Sequence, residues 1–254
     1  MKINVHGGHC SHSSGASGYL SELTEDRKVK NLVISKLEAL GHTVYDCTDD
    51  VGANQSRNLR NIVAKCNAHK VDLDVSIHFN AGGGTGTEVW IYSAGSSAKS
   101  YAQRTVAAIA ELGFRNRGVK YSKGLYVLKH TNSPAMLVEC CFVDSQQDAN
   151  RYNAEKMANA IVKGITGQTV AETPSYSAPS VGSNDGITPV HYLVRIKAST
   201  LNVRRDHSAS SAISTTVKKG DVYTIVGEYR NGSTLWGKLK SGAGWISLAY
   251  TTRV

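Results

Sequence analysis

The segment VDLDVSIHFN, residues 71–80, decides the fold of the first part of the chain. We interpret it as an apolar run because Val71, Leu73, Val75, Ile77 and Phe79 recur along it, and such a run is typical of a strand that a parallel sheet buries on both faces. The preceding residues 56–66 have apolar side chains at helical spacing, and TEVWIY, residues 87–92, is again strand-like. A strand with helical segments around it favours an α/β sheet.

The same alternation extends outward over residues 1–167. The pattern predicts further strands at 3–5, 43–47, 124–129 (GLYVLK) and 135–139 (AMLVE), and helices at 26–40 and 97–112, with a last helix bearing Met157, Ile161, Val162 and Ile165. Helices that alternate with strands cover both faces of a sheet. We therefore predict a three-layer α/β domain with a mostly parallel central sheet, in which function lies beyond the carboxyl ends of the strands.

A change of composition divides the chain. Residues 169–189 are rich in Pro, Ser, Thr and Gly and lack apolar periodicity, which predicts a linker between a domain at 1–168 and a second at 190–254. The second domain alternates short β-rich runs with turn signals such as KKGD (218–221), so we predict a small all-β SH3-like barrel.

Composition narrows the function classes. The formal net charge is +9, and residues 190–254 hold ten Lys and Arg against three Asp and Glu, which favours a polyanionic partner. From the pattern of apolar residues we expect no membrane span and no signal peptide. The five cysteines are scattered without a CxxC pair, which argues against a disulfide framework and a cysteine-ligated zinc site.

Four polar residues lie at the ends or beginnings of predicted elements and are expected at one edge of the sheet. They are His9, Glu25, His78 and Glu139. Each has an ordinary explanation alone, as a loop histidine, a first-turn carboxylate or a strand-end group. Glu139 is the hardest to explain structurally, because a charge between AMLV and CCFV is costly to bury unless it is paired or metal-linked. Two imidazoles and a carboxylate are also a known catalytic zinc set.

Four segments resemble the zinc-dependent N-acetylmuramoyl-L-alanine amidases, which include autolysins and phage endolysins. They are GHCSHSSGASG (8–18), LTEDRKVKNLV (23–33), VDLDVSIHFNAGGGTGTEVWIY (71–92) and RGVKYSKGLYVLKHTNSPAMLVECCF (117–142). The resemblance implies Zn²⁺ on His9, Glu25 and His78, with Glu139 as the catalytic glutamate. The Gly-Ala that follows His9 selects it over His6 and His12, which we interpret as neighbours that line the cleft.

The chain departs from the commoner family pattern in three places. The segment Cys10-Ser11-His12 follows His9 in place of a glycine pair, and Cys141 stands where a glycine is usual. Glu22 competes with Glu25 because both precede the predicted helix. The effect of Cys10, His12 and Cys141 on the site stays open at this point.

The last segments, TLNVRRDHSASSAISTTVKKGDVYTIVGE (200–228) and LWGKLKSGAGWISLAY (235–250), resemble a bacterial SH3-type cell-wall-binding domain. The alternative is a generic small β-barrel of unknown ligand. The candidate residues for a wall ligand are Trp236, Tyr223, Tyr229 and Tyr250, and Trp245 is as well explained as core.

Together the resemblances imply a peptidoglycan hydrolase that cleaves the amide between N-acetylmuramic acid and L-alanine. We expect a phage endolysin for Gram-positive cells, held in the host cytoplasm until release and then bound to peptidoglycan and anionic wall polymers. The alternatives are a bacterial autolysin, a metal-free wall-binding protein, a zinc peptidase that cuts within the stem peptide and, most weakly, a nucleic-acid-binding protein suggested by the basic second domain.

Overall fold

A computed structural model describes residues 1–168, 186–240 and 243–253. The chain forms two compact units, Met1–Thr173 and Pro174–Val254, which are considered separately below. Most of the predicted linker, residues 169–185, lies outside the described residues, so its limits remain a prediction.

The first unit is an α/β domain. Its strands are β1 (Lys2–Gly7), β2 (Thr43–Asp46), β3 (Leu73–Asn80), β4 (Thr87–Ile91), β5 (Asn116–Tyr121) and β6 (Ala135–Phe142). Its helices are α1 (Glu22–Ala39), α2 (Gln55–Asn67), α3 (Lys99–Ala110), α4 (Tyr126–His130), α5 (Gln146–Arg151) and α6 (Ala154–Thr166). The alternation predicted from the sequence is thus confirmed for most elements.

The central sheet is mixed, with the strand order β2-β1-β3-β6-β4-β5. Four of its five neighbouring pairs are parallel, and β4 runs antiparallel to β6. Because of this reversal, the starts of β4 and β5 lie at the same edge of the sheet as the carboxyl ends of β1, β3 and β6. That edge carries the candidate site.

Apolar clusters cover both faces of the sheet. On one face α1, α3 and α6 bury residues such as Val33, Ile109 and Ile161, and on the other α2 and α4 bury Ile62 and Leu128. Truncation of one of these fully buried side chains to alanine costs about 2–5 kcal/mol in comparable cores. The three-layer arrangement therefore holds the site edge rigidly.

Two element predictions are wrong. The segment GLYVLK (124–129) was predicted as a strand, but Tyr126–His130 is α4, in which Val127 and Leu128 pack into the smaller core. The sheet instead gains β5, whose sequence NRGVKY is too polar to signal a buried strand. Helix α1 also begins at Glu22 rather than at residue 26, which changes the position of the acidic residues relative to the helix start.

The second unit consists of seven strands. They are β7 (Thr188–Ile196), β8 (Thr200–Arg204), β9 (Ile213–Lys218), β10 (Val222–Asn231), β11 (Thr234–Leu239), β12 (Trp245–Ser247) and β13 (Thr251–Arg253), with a 3-10 turn at Leu248–Tyr250. They form one antiparallel sheet in the order β13-β7-β10-β11-β12-β8-β9 around a core that includes Val203, Ile225 and Ile246. The all-β prediction is confirmed for this unit.

Among the residues described, every helix is too short or too polar to cross a bilayer. The five cysteines are all buried free thiols.

Candidate metal centre

Three elements bring two imidazoles and one carboxylate together. His9 lies two residues beyond β1, Glu22 is the first residue of α1, and His78 lies near the end of β3. Glu22 Oε1 is 3.1 Å from His9 Nε2 and 3.2 Å from His78 Nδ1. In the described part of the chain this is the only group of at least three His, Cys, Asp or Glu whose ligand atoms all lie within 4.8 Å of one another.

The chain holds His9 in an unusual backbone conformation. Its φ of 58° lies in the left-handed region, which non-glycine residues adopt at a cost of about 1–2 kcal/mol. Arg27 of α1 stabilises this bend, because Nη1 donates to the Gly8 carbonyl at 2.7 Å and Nη2 donates to the His9 carbonyl at 2.9 Å. The same guanidinium is paired with Asp26 and Asp50, so its orientation is fixed. Helix α1 thus supplies one candidate ligand and positions another.

Backbone donors fix the Glu22 carboxylate. The Phe79 N–H donates to Oε1 at 3.1 Å, and the Ala16 N–H donates to Oε2 at 2.9 Å. Gly15 makes this approach possible, since a Cβ there would lie 2.4 Å from Glu22 Oε2 and 2.8 Å from His9 Cδ2. Burial raises the pKa of Glu22, but hydrogen bonds from His78 and His9 more than offset this, and the pKa is well below its usual range.

The two imidazoles differ in their protonation. Burial lowers the pKa of His9, but the Glu22 hydrogen bond and charge outweigh it, so the pKa is raised overall. For His78, burial dominates over Glu22 and the pKa is lowered. Gly8 lies against the His78 ring, because a Cβ on Gly8 would come within 2.0 Å of Cε1. Two imidazoles whose pKa values are shifted in opposite directions thus face the same carboxylate.

The donor set fits zinc. A tetrahedral zinc ion with bonds of about 2.0–2.1 Å holds its ligand atoms about 3.3 Å apart. The observed separations of 3.1 and 3.2 Å from Glu22 Oε1 are close to that value. Three protein ligands of the type His₂Glu leave a fourth position open, as catalytic zinc sites do.

Glu139 lies one strand from His78. The two residues are in register on β6 and β3, so their side chains point to the same face of the sheet. Burial raises the pKa of Glu139 to about 8, and the charges of Glu22 and Glu88 add to this. Its Oε2 is buried and makes no hydrogen bond with any described residue. A carboxyl group with these properties is suited to proton transfer near neutral pH.

Glu25 does not join the group. Glu25 lies one turn further along the same face of α1 than Glu22, and its carboxylate binds other partners instead of His9 and His78. Glu25 Oε2 accepts a hydrogen bond from the Tyr152 hydroxyl at 3.0 Å, and Oε1 is paired with Lys28 at 2.7 Å. The structure therefore corrects the assignment of Glu25 and puts Glu22, the competing residue, in its place.

The other residues near the first loop do not contribute donors to this group. His6 is fully buried in β1, and burial lowers its pKa to about 3. His12 is exposed on the loop. The burial of His6 does not match the prediction that it lines a cleft, and for His12 this stays a prediction. Cys10 and Cys141 are buried, and the Cys10 thiol donates to the Gly52 carbonyl, so neither thiol is part of the candidate centre.

The sequence analysis missed a second polar group beside Glu139. Glu88 on β4 is in register with Glu139, is buried, and accepts a hydrogen bond from Arg117 Nε at 2.7 Å. The signal was present, since Glu88 is an acid inside the strand-like run TEVWIY just as Glu139 is in AMLVECCF. A parallel β4 would put Glu88 at the opposite edge of the sheet, and it is the antiparallel direction of β4 that brings Glu88 beside Glu139.

The aromatic candidates of the second unit differ in accessibility. Trp236 is only 4% exposed, Tyr223 and Tyr229 are half-buried, and Tyr250 is 54% exposed. Tyr229 stacks on His207 with ring centroids 3.6 Å apart. Trp236 therefore offers little surface to a ligand, whereas Tyr250 offers the most among the four.

Comparison with known proteins gives the class to which this fold and site belong. Residues 3–168 match the N-acetylmuramoyl-L-alanine amidases, and the chain belongs to this family. A relative with no assigned function from Clostridium perfringens is 39% identical over 171 residues, covering 65% of this chain and 50% of the relative. The chain thus spans about half the length of that protein.

Two further relatives have descriptive names. N-acetylmuramoyl-L-alanine amidase CwlM of Bacillus licheniformis is 31% identical over 172 residues, which cover 65% of each chain. Among solved structures, the catalytic domain of CD27L endolysin, which targets Clostridia Difficile, superimposes with a TM-score of 0.62 at 26% identity, covering 67% of this chain and 99% of that one. The similarity therefore concerns the first unit.

Proposed function

We propose that this protein is a zinc-dependent N-acetylmuramoyl-L-alanine amidase that cleaves peptidoglycan between N-acetylmuramic acid and the first L-alanine. The observation that carries the proposal is the convergence of His9, Glu22 and His78 beside Glu139 in a member of the amidase family. These three residues would hold the zinc ion. Family membership indicates which amide bond is cleaved, and the geometry indicates which side chains act on that bond.

The proposed chemistry requires an activated water and a general acid–base group. Zinc, when bound, lowers the pKa of a water ligand and polarises a carbonyl oxygen. Glu139 accepts a proton from the attacking water and donates a proton to the amine that leaves. The raised pKa of Glu139 suits it to donate a proton to the leaving amine. The positive charge of a bound dication lowers this pKa and so favours the carboxylate that accepts a proton from water.

The direct test measures zinc content together with lysis of purified Gram-positive walls, before and after chelation, with mass spectrometry of the products. We expect one zinc per chain, chelator-sensitive lysis and peptides that begin with L-alanine. Fragments cut within the stem peptide would indicate a peptidase instead. Wall binding without zinc or lysis would indicate a binding protein on an amidase frame.

Glu139→Gln separates metal binding from turnover. Glu139 is not within the group formed by His9, Glu22 and His78, so the variant should retain zinc. Loss of a general acid–base group lowers turnover by about 10²–10⁴-fold. A variant with most of its activity would contradict the proposed role.

For the second unit we propose an SH3-type cell-wall-binding function. The antiparallel all-β sheet, the excess of basic residues and the motifs LNVR, KKG and GWIS support this proposal. Tethering such a unit to the amidase domain raises the effective concentration of the enzyme at an insoluble polymer. Deletion of residues 169–254 should therefore lower activity on whole cells more than activity on a small soluble substrate. Equal losses, or preferential binding to nucleic acid rather than to walls, would count against it.

We further propose that the protein acts as a phage endolysin, with a chromosomal autolysin as the alternative. The similarity to the CD27L endolysin catalytic domain supports the first of these. Production of this chain inside a Gram-positive cell should leave the wall intact until the membrane is permeabilised, after which lysis should follow. Lysis without permeabilisation would show that the chain reaches the wall by itself and would favour an autolysin.

A further inference from the structure

A second polar group continues the line of the candidate centre across the sheet. His78 on β3, Glu139 on β6 and Glu88 on β4 are consecutive register partners. Since neighbouring strands lie about 4.8 Å apart, Glu88 is about 10 Å from His78 along the site edge. Arg117 lies on the next strand, β5. The edge thus extends beyond the residues that the proposed chemistry uses.

Glu88 is a buried anchor. Its carboxylate accepts hydrogen bonds from Asn80 Nδ2 at 3.0 Å, Trp90 Nε1 at 3.2 Å and Arg117 Nε at 2.7 Å. Its side chain is 5% exposed, whereas that of Arg117 is 30% exposed. The buried carboxylate therefore holds an arginine whose outer part reaches solvent.

The outer part of the Arg117 side chain is available to a ligand. Its Nε is bound to Glu88, and its guanidinium lies over the Phe142 ring at 4.9 Å from the centroid. Within the described residues, its two Nη atoms have no hydrogen-bond partner. A guanidinium fixed at Nε and stacked on a ring presents a planar pair of N–H donors, which matches the geometry of a carboxylate.

We propose that Arg117 forms a subsite for a carboxylate of the stem peptide, on the leaving-group side of the scissile amide. The inference rests on the proposed amidase function. Arg117 lies on β5, two strand spacings from Glu139, but its Nε binds Glu88 on β4, one spacing from Glu139, so its guanidinium is about 5–10 Å away. An extended peptide advances about 3.3 Å per residue, so this distance corresponds to about two or three residues. The second residue of the stem, a γ-linked D-glutamate, carries a free α-carboxylate at that distance.

The test compares two synthetic tripeptides, L-Ala-γ-D-Glu-L-Lys and its α-carboxamide, both amidated at the C-terminus, by calorimetric titration of the full chain. A charge-assisted hydrogen bond contributes about 1.5–3 kcal/mol, so the wild type should bind the carboxylate peptide at least about 10-fold more tightly. Arg117→Gln should abolish this preference. The exposed Arg115 provides the matched control, and Arg115→Gln should keep it.

Arg117→Gln leaves the buried Glu88 carboxylate without its charged partner. The double variant Glu88→Gln/Arg117→Gln is therefore tested beside it. Thermal unfolding shows whether each variant is folded. Equal affinity of the wild type for both peptides, binding of neither, or a preference that persists in the folded variants would overturn the subsite. Wall hydrolysis by the wild type is measured in parallel. Hydrolysis without the preference refutes only the subsite, whereas absence of hydrolysis refutes the amidase proposal itself.

Discussion

Replacing Glu22 and Glu25 by glutamine, one at a time, tests the candidate centre most sharply. The two residues lie one helical turn apart on α1, and only Glu22 faces His9 and His78. Glu22→Gln removes the negative charge that both imidazoles share while it keeps the size of the side chain. Glu25→Gln keeps an oxygen for the Tyr152 hydroxyl and loses only an ion pair with a Lys28 side chain that is 56% exposed.

The expected magnitudes differ widely. Zinc sites of peptides bind with about 10–16 kcal/mol, which spread over three or four donors is about 3 kcal/mol or more per donor. Glu22→Gln should therefore weaken zinc binding by at least about 100-fold. The pair of Glu25 with the largely exposed Lys28 side chain does not contact the donor atoms of the candidate centre, so Glu25→Gln should change the zinc Kd by less than about 3-fold.

The assay is competition for zinc against a chromophoric chelator at pH 7.5, with denaturant unfolding of the zinc-free proteins to show that both variants fold. Weak zinc binding by Glu25→Gln together with near-normal binding by Glu22→Gln would refute the assignment drawn from the structure. It would restore the assignment made from the family motif.

Three further outcomes follow from the site. Gly15→Ala places a Cβ within 2.4 Å of Glu22 Oε2, so it should lower both stability and zinc affinity. Gly41 has a similar positive φ and open space around it, so Gly41→Ala should cost only the ~1–2 kcal/mol of backbone strain. Denaturant unfolding and zinc titration measure the difference between the two variants. Arg27→Gln should weaken zinc binding about 10–100-fold by releasing the Gly8 and His9 carbonyls, whereas Lys28→Gln should not; equal effects would refute the positioning role. Because the pKa of His6 is about 3 in the folded state and 6.5 when unfolded, only the unfolded state gains its proton between these values, and stability falls as the pH drops below 6.5. His6→Gln should remove about 3 kcal/mol of that loss between pH 6.5 and 4 in urea titrations of the zinc-free protein, and an unchanged pH slope would contradict the shift.

The sequence predicted the parts of the site that depend on local pattern. His78 ends an apolar strand and Glu139 interrupts another, so their positions at the sheet edge follow from the strands themselves. Glu22 was harder to assign because the beginning of α1 has no clear signal. Ser21 occupies the N-cap position without a side-chain cap hydrogen bond, and Glu22 and Glu25 both lie in the first turn.

The rest depends on tertiary structure. The direction of β4 cannot be read from TEVWIY, because parallel and antiparallel strands have the same residue preferences when both faces are covered. That direction decides at which edge Glu88 and Arg117 lie. The polar strand β5 forms through its pairing with β4 and the packing of Val119 on the main core, whereas α4 forms because Val127 and Leu128 are buried against the smaller core.

Because two imidazoles share the Glu22 carboxylate, metal binding at this centre is coupled to proton release. Without an ion, the hydrogen bond and the charge of Glu22 raise the pKa of His9. A dication needs that imidazole neutral, so its uptake releases about one proton wherever His9 is charged. If the centre holds a metal as proposed, acidification works against metal retention through mass action, because protons compete with the ion for His9.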